Sequence, residues 1–147
     1  MSTVLVGRLY RFNAGHRLFH PERDDAWNFD VFGKCSFAGG HGHNYELEIV
    51  VRGTPDRLTG RVLPLAALDA IVDEHVIEPL DHRNLNDVLA LVDGPAPTTE
   101  VLMLEIWRRL VGRIPPPVSL HRVAVSETDK NLFELEARAS TALNPRG

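Results

Sequence analysis

The chain has little cysteine, no long apolar run and no basic cluster, and each absence narrows the class of protein. A single cysteine, Cys35, among 147 residues excludes an internal disulfide, which predicts a protein of a reducing, cytoplasmic compartment. No apolar stretch approaches the roughly 18 residues of a membrane span, and we expect no signal peptide. The formal net charge is −4 and Lys and Arg are scattered, so we expect neither membrane nor nucleic-acid partners.

Length and apolar content are typical of one globular domain spanning residues 1–147. Hydrophobic residues make up 44% of the chain, and a chain of this size buries roughly 70% of its unfolded surface. Because such a core needs no metal to hold it together, we expect any metal in this protein to serve function.

Alternating and helical periodicities predict an α+β domain with the element order ββααββ. Strands are predicted at 4–16, 41–51, 118–127 and 131–138, and helices at 64–78 and 98–114. We expect a four-stranded antiparallel sheet with two helices on one face, and exposed sheet edges that favour oligomerisation. The intervening segment 20–40 is far longer than an ordinary connection, which indicates a functional loop.

Histidines lie at the last residue of the first predicted strand and at the start of the second. His41 and His43 are two residues apart, so both imidazoles point to one face with Cα atoms about 6.6 Å apart. His16 ends the first strand on its apolar face, and a hairpin-like pairing would place it beside them. Three imidazoles with one open coordination position are typical of a catalytic zinc site. Partly buried, hydrogen-bonded histidines without a metal are the alternative.

Cys35, six residues before His41, has three candidate roles. It could be a fourth ligand that closes a structural zinc site, or a base that stands near the metal without binding it. An inert core thiol is the ordinary fate of a single cysteine, but the polar and glycine-rich surroundings at 34–40 are not typical of a core.

Two further carboxylates are candidates for the site. Asp81 could orient His82 for proton transfer within the segment LDHRNLN, where a solvated turn is the alternative. Glu127 continues the apolar strand face of Val123 and Val125, where a carboxylate is costly unless a partner such as a ligand N–H group satisfies it. An exposed strand end is the rival interpretation of Glu127.

Several segments together resemble the 6-pyruvoyl-tetrahydropterin synthase family. They are FNAGH at 12–16, Cys35 with five residues before HGHNY at 41–45, LDHRNL at 80–85, TTE at 98–100 and ETD at 127–129. Each segment alone is a weak signal, but their joint order and spacing over about residues 8–138 are strongly specific.

The resemblance implies a tunnelling fold, in which ββααββ subunits trimerise into a barrel of antiparallel strands. Two trimers then stack into a homohexamer with active sites between subunits. The resemblance also implies Zn²⁺ on His16, His41 and His43, with Cys35 as the base that abstracts a proton.

Five more positions receive roles from the resemblance. Asp81 and His82 correspond to a catalytic relay contributed across a subunit interface. Glu127 corresponds to the catalytic-site carboxylate that anchors the pterin ring by its N–H edge. Thr98 and Thr99 correspond to further pterin contacts.

The implied activity is that of a carbon–oxygen lyase of tetrahydrobiopterin biosynthesis. It converts 7,8-dihydroneopterin triphosphate into 6-pyruvoyltetrahydropterin with elimination of triphosphate, and Arg11, Arg17, Lys34 and Lys130 are candidates for holding the triphosphate. The spacing from Cys35 to the HGHNY motif resembles the pyruvoyl-forming type. The alternatives are a 6-carboxytetrahydropterin synthase of queuosine biosynthesis and a non-catalytic barrel that binds a pterin or zinc.

Overall fold

A computed structural model describes residues 2–89 and 96–138, which are organised around one sheet. Its strands are β1 (Val4–His16), β2 (His41–Gly53), β3 (Arg83–Asn84), β4 (Ser119–Thr128) and β5 (Asn131–Glu136). They lie in the order β3-β1-β2-β4-β5. Strands β1, β2, β4 and β5 pair antiparallel, whereas β3 runs parallel to β1. The predicted α+β class and the four long strands are therefore confirmed.

Helices lie between the strands of the described chain. They are α1 (Asp25–Phe32), α2 (Leu65–Val72), α3 (Glu78–Leu80), α4 (Leu85–Val88) and α5 (Thr99–Val111). The predicted start of α5 is confirmed, because the Thr98 hydroxyl accepts a hydrogen bond from Val101 N at 3.3 Å and so caps the helix. None of the helices in the described ranges combines the length and apolarity needed to cross a bilayer.

The core lies between one face of the sheet and the helices α2 and α5. Alternate residues of β2 and β4 point into it, while regularly spaced residues of the helices meet them from the other side. Its fully buried members include Leu47, Ile49, Val51, Leu68, Val72, Leu102, Ile106, Leu110, Val123 and Val125.

Three local features differ from the sequence prediction. The sheet has five strands rather than four, because β3 is only two residues long and too short to show a period. The segment expected to be a loop contains α1, whose start is fixed by the Asp24 side chain accepting from Trp27 N at 2.8 Å. The first long helix does not end before Pro79, because a π turn, Asp73–Ile77, leads into α3. Pro79 is the second residue of α3.

Candidate active site

The antiparallel pairing of β1 and β2 brings the three predicted metal-binding histidines together. His16 pairs with His41 across the two strands, and Ala14 pairs with His43, so the imidazoles share one face. One ligand atom from each of the three rings lies within 4.8 Å of the others. The Nε2 atoms of His16 and His41 are 2.9 Å apart. Such an arrangement can hold one metal ion.

His16 is oriented by a backbone carbonyl from the segment before α5. Its Nδ1 donates to Pro97 O at 2.9 Å, because a carbonyl can only accept. This bond leaves Nε2 of the neutral ring unprotonated and directed at the other imidazoles. Burial lowers the pKa of His16, and the neighbouring His41 and His43 lower it further. A neutral imidazole whose second nitrogen is held by a carbonyl is the usual form of a metal ligand.

His43 carries a buried nitrogen without a partner. Its Nε2 lies 3.2 Å from Glu127 Oε1, but no hydrogen bond of acceptable alignment satisfies it among the described residues. Burial lowers the pKa of His43, against the opposing effect of the Glu127 charge. An unsatisfied buried nitrogen is costly, and coordination of a cation would satisfy it. The donor set of three imidazoles fits zinc.

Gly40 allows the chain to enter β2 directly beside the end of β1. Its φ is +64°, and a Cβ atom at this position would come within 2.8 Å of His16 O. Only glycine avoids both the left-handed strain and this contact. The glycine before the HGH motif is therefore part of the geometry that positions His16 against His41.

Cys35 lies in a short 3₁₀ turn, Gly33–Ser36, that is fastened to the residues following His16. Leu18 N donates to Cys35 O at 2.8 Å, and Arg17 Nε donates to Ser36 O at 2.9 Å. The thiol is partly exposed. In the part of the chain that the structure describes, the group of side chains able to hold an ion consists of the three imidazoles, without the Cys35 thiol. This placement argues against Cys35 as a fourth ligand.

Asp81 and His82 form a paired acid and imidazole at the end of α3. Asp81 Oδ2 lies 2.9 Å from His82 Nδ1, and Asp81 Oδ1 accepts from Asn13 N at 2.8 Å. The Asn13 N–H is the largest cause of the lowered pKa of Asp81. His82 has a positive φ of 57°, an unusual backbone conformation for a residue with a side chain. Its ring is exposed and lines a cavity of about 330 Å³ together with His43.

Glu127 and Tyr45 line the adjoining cavity, of about 720 Å³, together with His43. The Tyr45 hydroxyl is buried and has no hydrogen-bond partner among the described residues. Burial and the Glu127 charge raise its pKa. Tyr45 is not among the site residues predicted from the sequence, although its position two residues after His43 on the same strand face is a signal that could have identified it.

Thr98 and Thr99 differ in what their hydroxyls do. The Thr98 hydroxyl caps α5, whereas the Thr99 hydroxyl is buried and without a partner among the described residues. Pro97, which precedes them, holds His16. Thr99 is therefore the member of the pair whose hydroxyl is unpaired among the described residues, and the contact through Pro97 was not foreseen from the sequence.

The fold and the site together define a small α+β protein with a candidate three-histidine metal centre beside a carboxylate. The profile of the family 6-pyruvoyl tetrahydropterin synthase matches residues 6–138. The chain belongs to this family, as its motifs predicted.

Relatives and a solved structure agree with this assignment. A 6-pyruvoyl tetrahydrobiopterin synthase of Drosophila melanogaster is 41% identical over 131 residues, covering 88% of this chain and 77% of the relative. The protein of the same name from Homo sapiens is 39% identical over 127 residues, covering 86% and 87%. The structure of the Caenorhabditis elegans 6-pyruvoyl tetrahydropterin synthase superposes with a TM-score of 0.85 at 33% identity, covering 94% of this chain and 98% of that one.

Proposed function

We propose that the protein is a zinc-dependent 6-pyruvoyltetrahydropterin synthase, a carbon–oxygen lyase that acts on 7,8-dihydroneopterin triphosphate. The observation that carries this proposal is the set of unsatisfied buried polar atoms on His43 and Tyr45 beside Glu127 and the other two metal-site histidines. Natural proteins leave few such atoms, and those they leave call for a ligand or another specific explanation. The names of the two relatives reported above support the choice of substrate and product.

His16, His41 and His43 would hold the Zn²⁺ ion. When bound, the ion supplies Lewis-acid chemistry that acidifies the hydroxyl groups of the substrate side chain and the neighbouring C–H protons. The carbonyl of Pro97 keeps His16 in the tautomer that leaves Nε2 free, which supports a permanent role of this ring as ligand.

Glu127 would orient the substrate by accepting hydrogen bonds from the N–H edge of the pterin ring. The ring then enters the cavity lined by Glu127 and Tyr45. Thr99 has the second unpaired hydroxyl and is the stronger candidate of the two threonines for a further contact.

Cys35 would act as the base of the elimination. Its thiolate takes a carbon-bound proton of the side chain, a carbon–carbon double bond forms from the released electron pair, and the carbon–oxygen bond to triphosphate breaks. The resulting enol converts to a ketone by proton shifts, for which His82 is the acid–base group and Asp81 holds its imidazole. The second ketone of the pyruvoyl group forms when the carbinol next to the ring loses its carbon-bound hydrogen and the electron pair reduces the C=N bond of the dihydropterin ring. No external oxidant or reductant is needed, because this oxidation of the side chain is balanced by reduction of the ring to the tetrahydro form.

We propose that the subunits assemble through the sheet into the barrel implied by the resemblance, with active sites between subunits. Leu9 is 73% exposed and Leu132 is 62% exposed, and both project from the strands away from the core. Leu9→Glu should reduce the assembly to smaller species in mass photometry. Leu58→Glu is the matched control, because Leu58 is 96% exposed in a loop, and its variant should keep the wild-type size. Equal sizes for all three proteins would contradict the proposed interface.

Product analysis tests the proposed reaction. The zinc-loaded protein is given 7,8-dihydroneopterin triphosphate under anaerobic conditions, and products are identified by mass spectrometry, with Cys35→Ala as the control. We expect triphosphate and a pyruvoyl pterin from the wild type alone. A carboxy pterin with acetaldehyde would assign the protein to the queuosine branch. Tight pterin binding without turnover would indicate a binding protein.

A further inference from the structure

The two residues that follow β1, Arg17 and Leu18, hold the 3₁₀ turn Gly33–Ser36, here called the Cys35 turn. Leu18 N donates to Cys35 O at 2.8 Å, and Arg17 Nε donates to Ser36 O at 2.9 Å. In the part of the chain that the structure describes, the other hydrogen bonds of this turn are local, to residues 29–37. The hydrogen bonds that fix the Cys35 turn against the end of β1 therefore run through Arg17 and Leu18.

The side chain of Asn86 binds both backbone groups of Arg17. Its Oδ1 accepts from Arg17 N at 2.8 Å, and its Nδ2 donates to Arg17 O at 2.9 Å. Because a backbone N–H can only donate and a carbonyl can only accept, these partners fix the orientation of the amide. Two residues of antiparallel strands exchange the same pair of hydrogen bonds. The amide of Asn86 therefore binds Arg17 as the backbone of a neighbouring strand would.

This contact begins where the regular pairing of β1 ends. The pairing of β1 with β2 reaches His16, and its pairing with β3 reaches Gly15. Arg17 lies beyond both ends, so the sheet itself does not fix its backbone. The Asn86 amide extends the contact with β1 to the residue that holds the Cys35 turn.

Asn86 is itself held by its neighbours in the chain. Its backbone N–H donates to Asn84 Oδ1 at 3.0 Å, which caps the start of α4. Leu85, the residue before it, is fully buried in the core. Reactive groups need support of this kind, because their geometry must be held to within about 0.5 Å.

We propose that Asn86 is a positioning residue for Cys35. Its amide fixes the backbone of Arg17, and the hydrogen bonds of Arg17 and Leu18 then fix the Cys35 turn at the end of β1. The effect on catalysis rests on the proposed function, in which the Cys35 thiolate takes the proton. The effect on the position of the thiol depends on the hydrogen bonds alone.

The candidate metal centre does not depend on Asn86 in the same way. His16 is held by Pro97 O, which accepts from its Nδ1 at 2.9 Å, and by the pairing of β1 with His41 of β2. Loss of the Asn86 amide should therefore displace the Cys35 turn while the three histidines stay in place.

Asn86→Ala in the zinc-loaded full-length protein tests the proposal. It should lower kcat by about tenfold to a hundredfold, because a displacement of about 1 Å can cost that much, while KM and zinc content remain those of the wild type. Iodoacetamide should alkylate Cys35, the single thiol of the chain, severalfold faster. The reason is that a released turn exposes its partly buried sulfur.

Two further variants complete the experiment. Asn86→Asp keeps the acceptor for Arg17 N and removes the donor to Arg17 O. It should show smaller changes in the same direction, and it provides the test if Asn86→Ala does not fold. Asp87→Ala is the matched control, because it changes the next residue of α4, which is exposed. It should keep the wild-type kcat, KM, zinc content and alkylation rate.

The outcomes separate this proposal from the proposed function. A wild-type alkylation rate in both Asn86 variants would overturn the proposal whatever happens to kcat. Loss of zinc together with kcat would also overturn it, because Asn86 would then support the metal centre. Faster alkylation with an unchanged kcat would overturn its role in the reaction. If the wild type does not turn over 7,8-dihydroneopterin triphosphate, the proposed function fails, and the alkylation rates still decide whether Asn86 positions the thiol.

Discussion

The two tyrosines of the chain lie on neighbouring strands and face the same side of the sheet, but the hydroxyl of only one, Tyr10, finds a hydrogen-bond partner among the described residues. Tyr10 donates to Asp69 Oδ1 at 2.8 Å, and Arg8 binds the same carboxylate through two nitrogens at 2.6 and 2.8 Å. The hydroxyl of Tyr45 is buried and unpaired among the described residues. Burial raises the pKa of both tyrosines, but the next cause is a hydrogen bond to Asp69 for Tyr10 and the charge of Glu127 for Tyr45.

This difference separates a structural region from a functional one within the same two strands. Around Tyr10 the polar groups are satisfied inside the protein, so they stabilise the fold by themselves. Around Tyr45, its own hydroxyl and His43 Nε2 have no hydrogen-bond partner among the described residues, which costs stability in the unliganded protein. Proteins tolerate such local conflicts mainly at sites where a ligand resolves them. The comparison therefore supports assigning function to the histidine end, the end of β1 and β2 that carries His16, His41 and His43.

The largest expected effect is on catalysis at the histidine end. Cys35→Ala should lower kcat by roughly 10²- to 10⁴-fold, the contribution of a positioned base. Zinc content and thermal stability should remain those of the wild type, because the structure places the thiol outside the group of histidines. Steady-state kinetics and metal analysis check this prediction, and a loss of zinc together with activity would instead make Cys35 a ligand.

Zinc should stabilise the folded protein through its histidines. At a free zinc concentration about 100 times the Kd, binding adds about 2.7 kcal/mol to the free energy of unfolding. His41→Ala should lose this gain. His75→Ala serves as the matched control, since His75 lies outside the three-histidine group. Thermal denaturation with zinc and with a chelator measures the difference, and equal gains in both variants would argue against the proposed centre.

Removing the two tyrosine hydroxyls should have opposite effects on the metal-free protein. Tyr10→Phe breaks the hydrogen bond to Asp69 and should lower the free energy of unfolding by about 0.5–1.5 kcal/mol. Tyr45→Phe removes an unsatisfied group, so its stability should equal or exceed that of the wild type. Urea denaturation provides both values. Similar destabilisation by the two substitutions would show that the Tyr45 hydroxyl has an internal partner. The difference between the Tyr10 and Tyr45 regions would then not hold.

The smallest expected effect is an acid dependence of stability at the Tyr10 end. Hydrogen bonds from Arg8 and Tyr10 lower the pKa of Asp69, so the folded state binds this proton less readily than the unfolded chain, where an Asp titrates near about 3.9. The contribution is present above that pH and is lost as the pH falls through the lower folded pKa. The free energy of unfolding of Asp69→Asn, measured by denaturation at several pH values, should therefore fall less steeply at acid pH than that of the wild type. Asp87→Asn, which changes an exposed residue, should keep the wild-type pH dependence. The same loss of stability at acid pH in the wild type and in Asp69→Asn would contradict this role of Asp69.

Much of the fold could be predicted, because strands and helices produce a regular spacing of apolar residues in the sequence. Alternation located β1, β2 and β4, and the strand-end positions of His16, His41 and His43 predicted that the imidazoles would meet. The hydroxyl of Thr98 marked the start of α5 correctly. These features depend on neighbours in sequence, whose side-chain directions follow from the strand or helix itself.

The unpredicted features depend on contacts between distant parts of the chain. The Pro97 carbonyl reaches His16 across 81 positions, and Arg83 pairs with β1 through a two-residue strand. The missing partner of the Tyr45 hydroxyl is a property of the packed site, so no pattern in the sequence could express it. Sequence motifs identified most of the candidate site residues, whereas the fold was needed to show which of their polar atoms lack partners.

The most direct test of the account is the zinc coordination measured by X-ray absorption spectroscopy on the zinc-loaded full-length protein. We predict imidazole nitrogens at roughly 2.0–2.1 Å from the zinc and no sulfur ligand, consistent with His16, His41 and His43 around an open position. A zinc–sulfur distance near roughly 2.3 Å would contradict it, because Cys35 would then close a structural site and could not serve as the base.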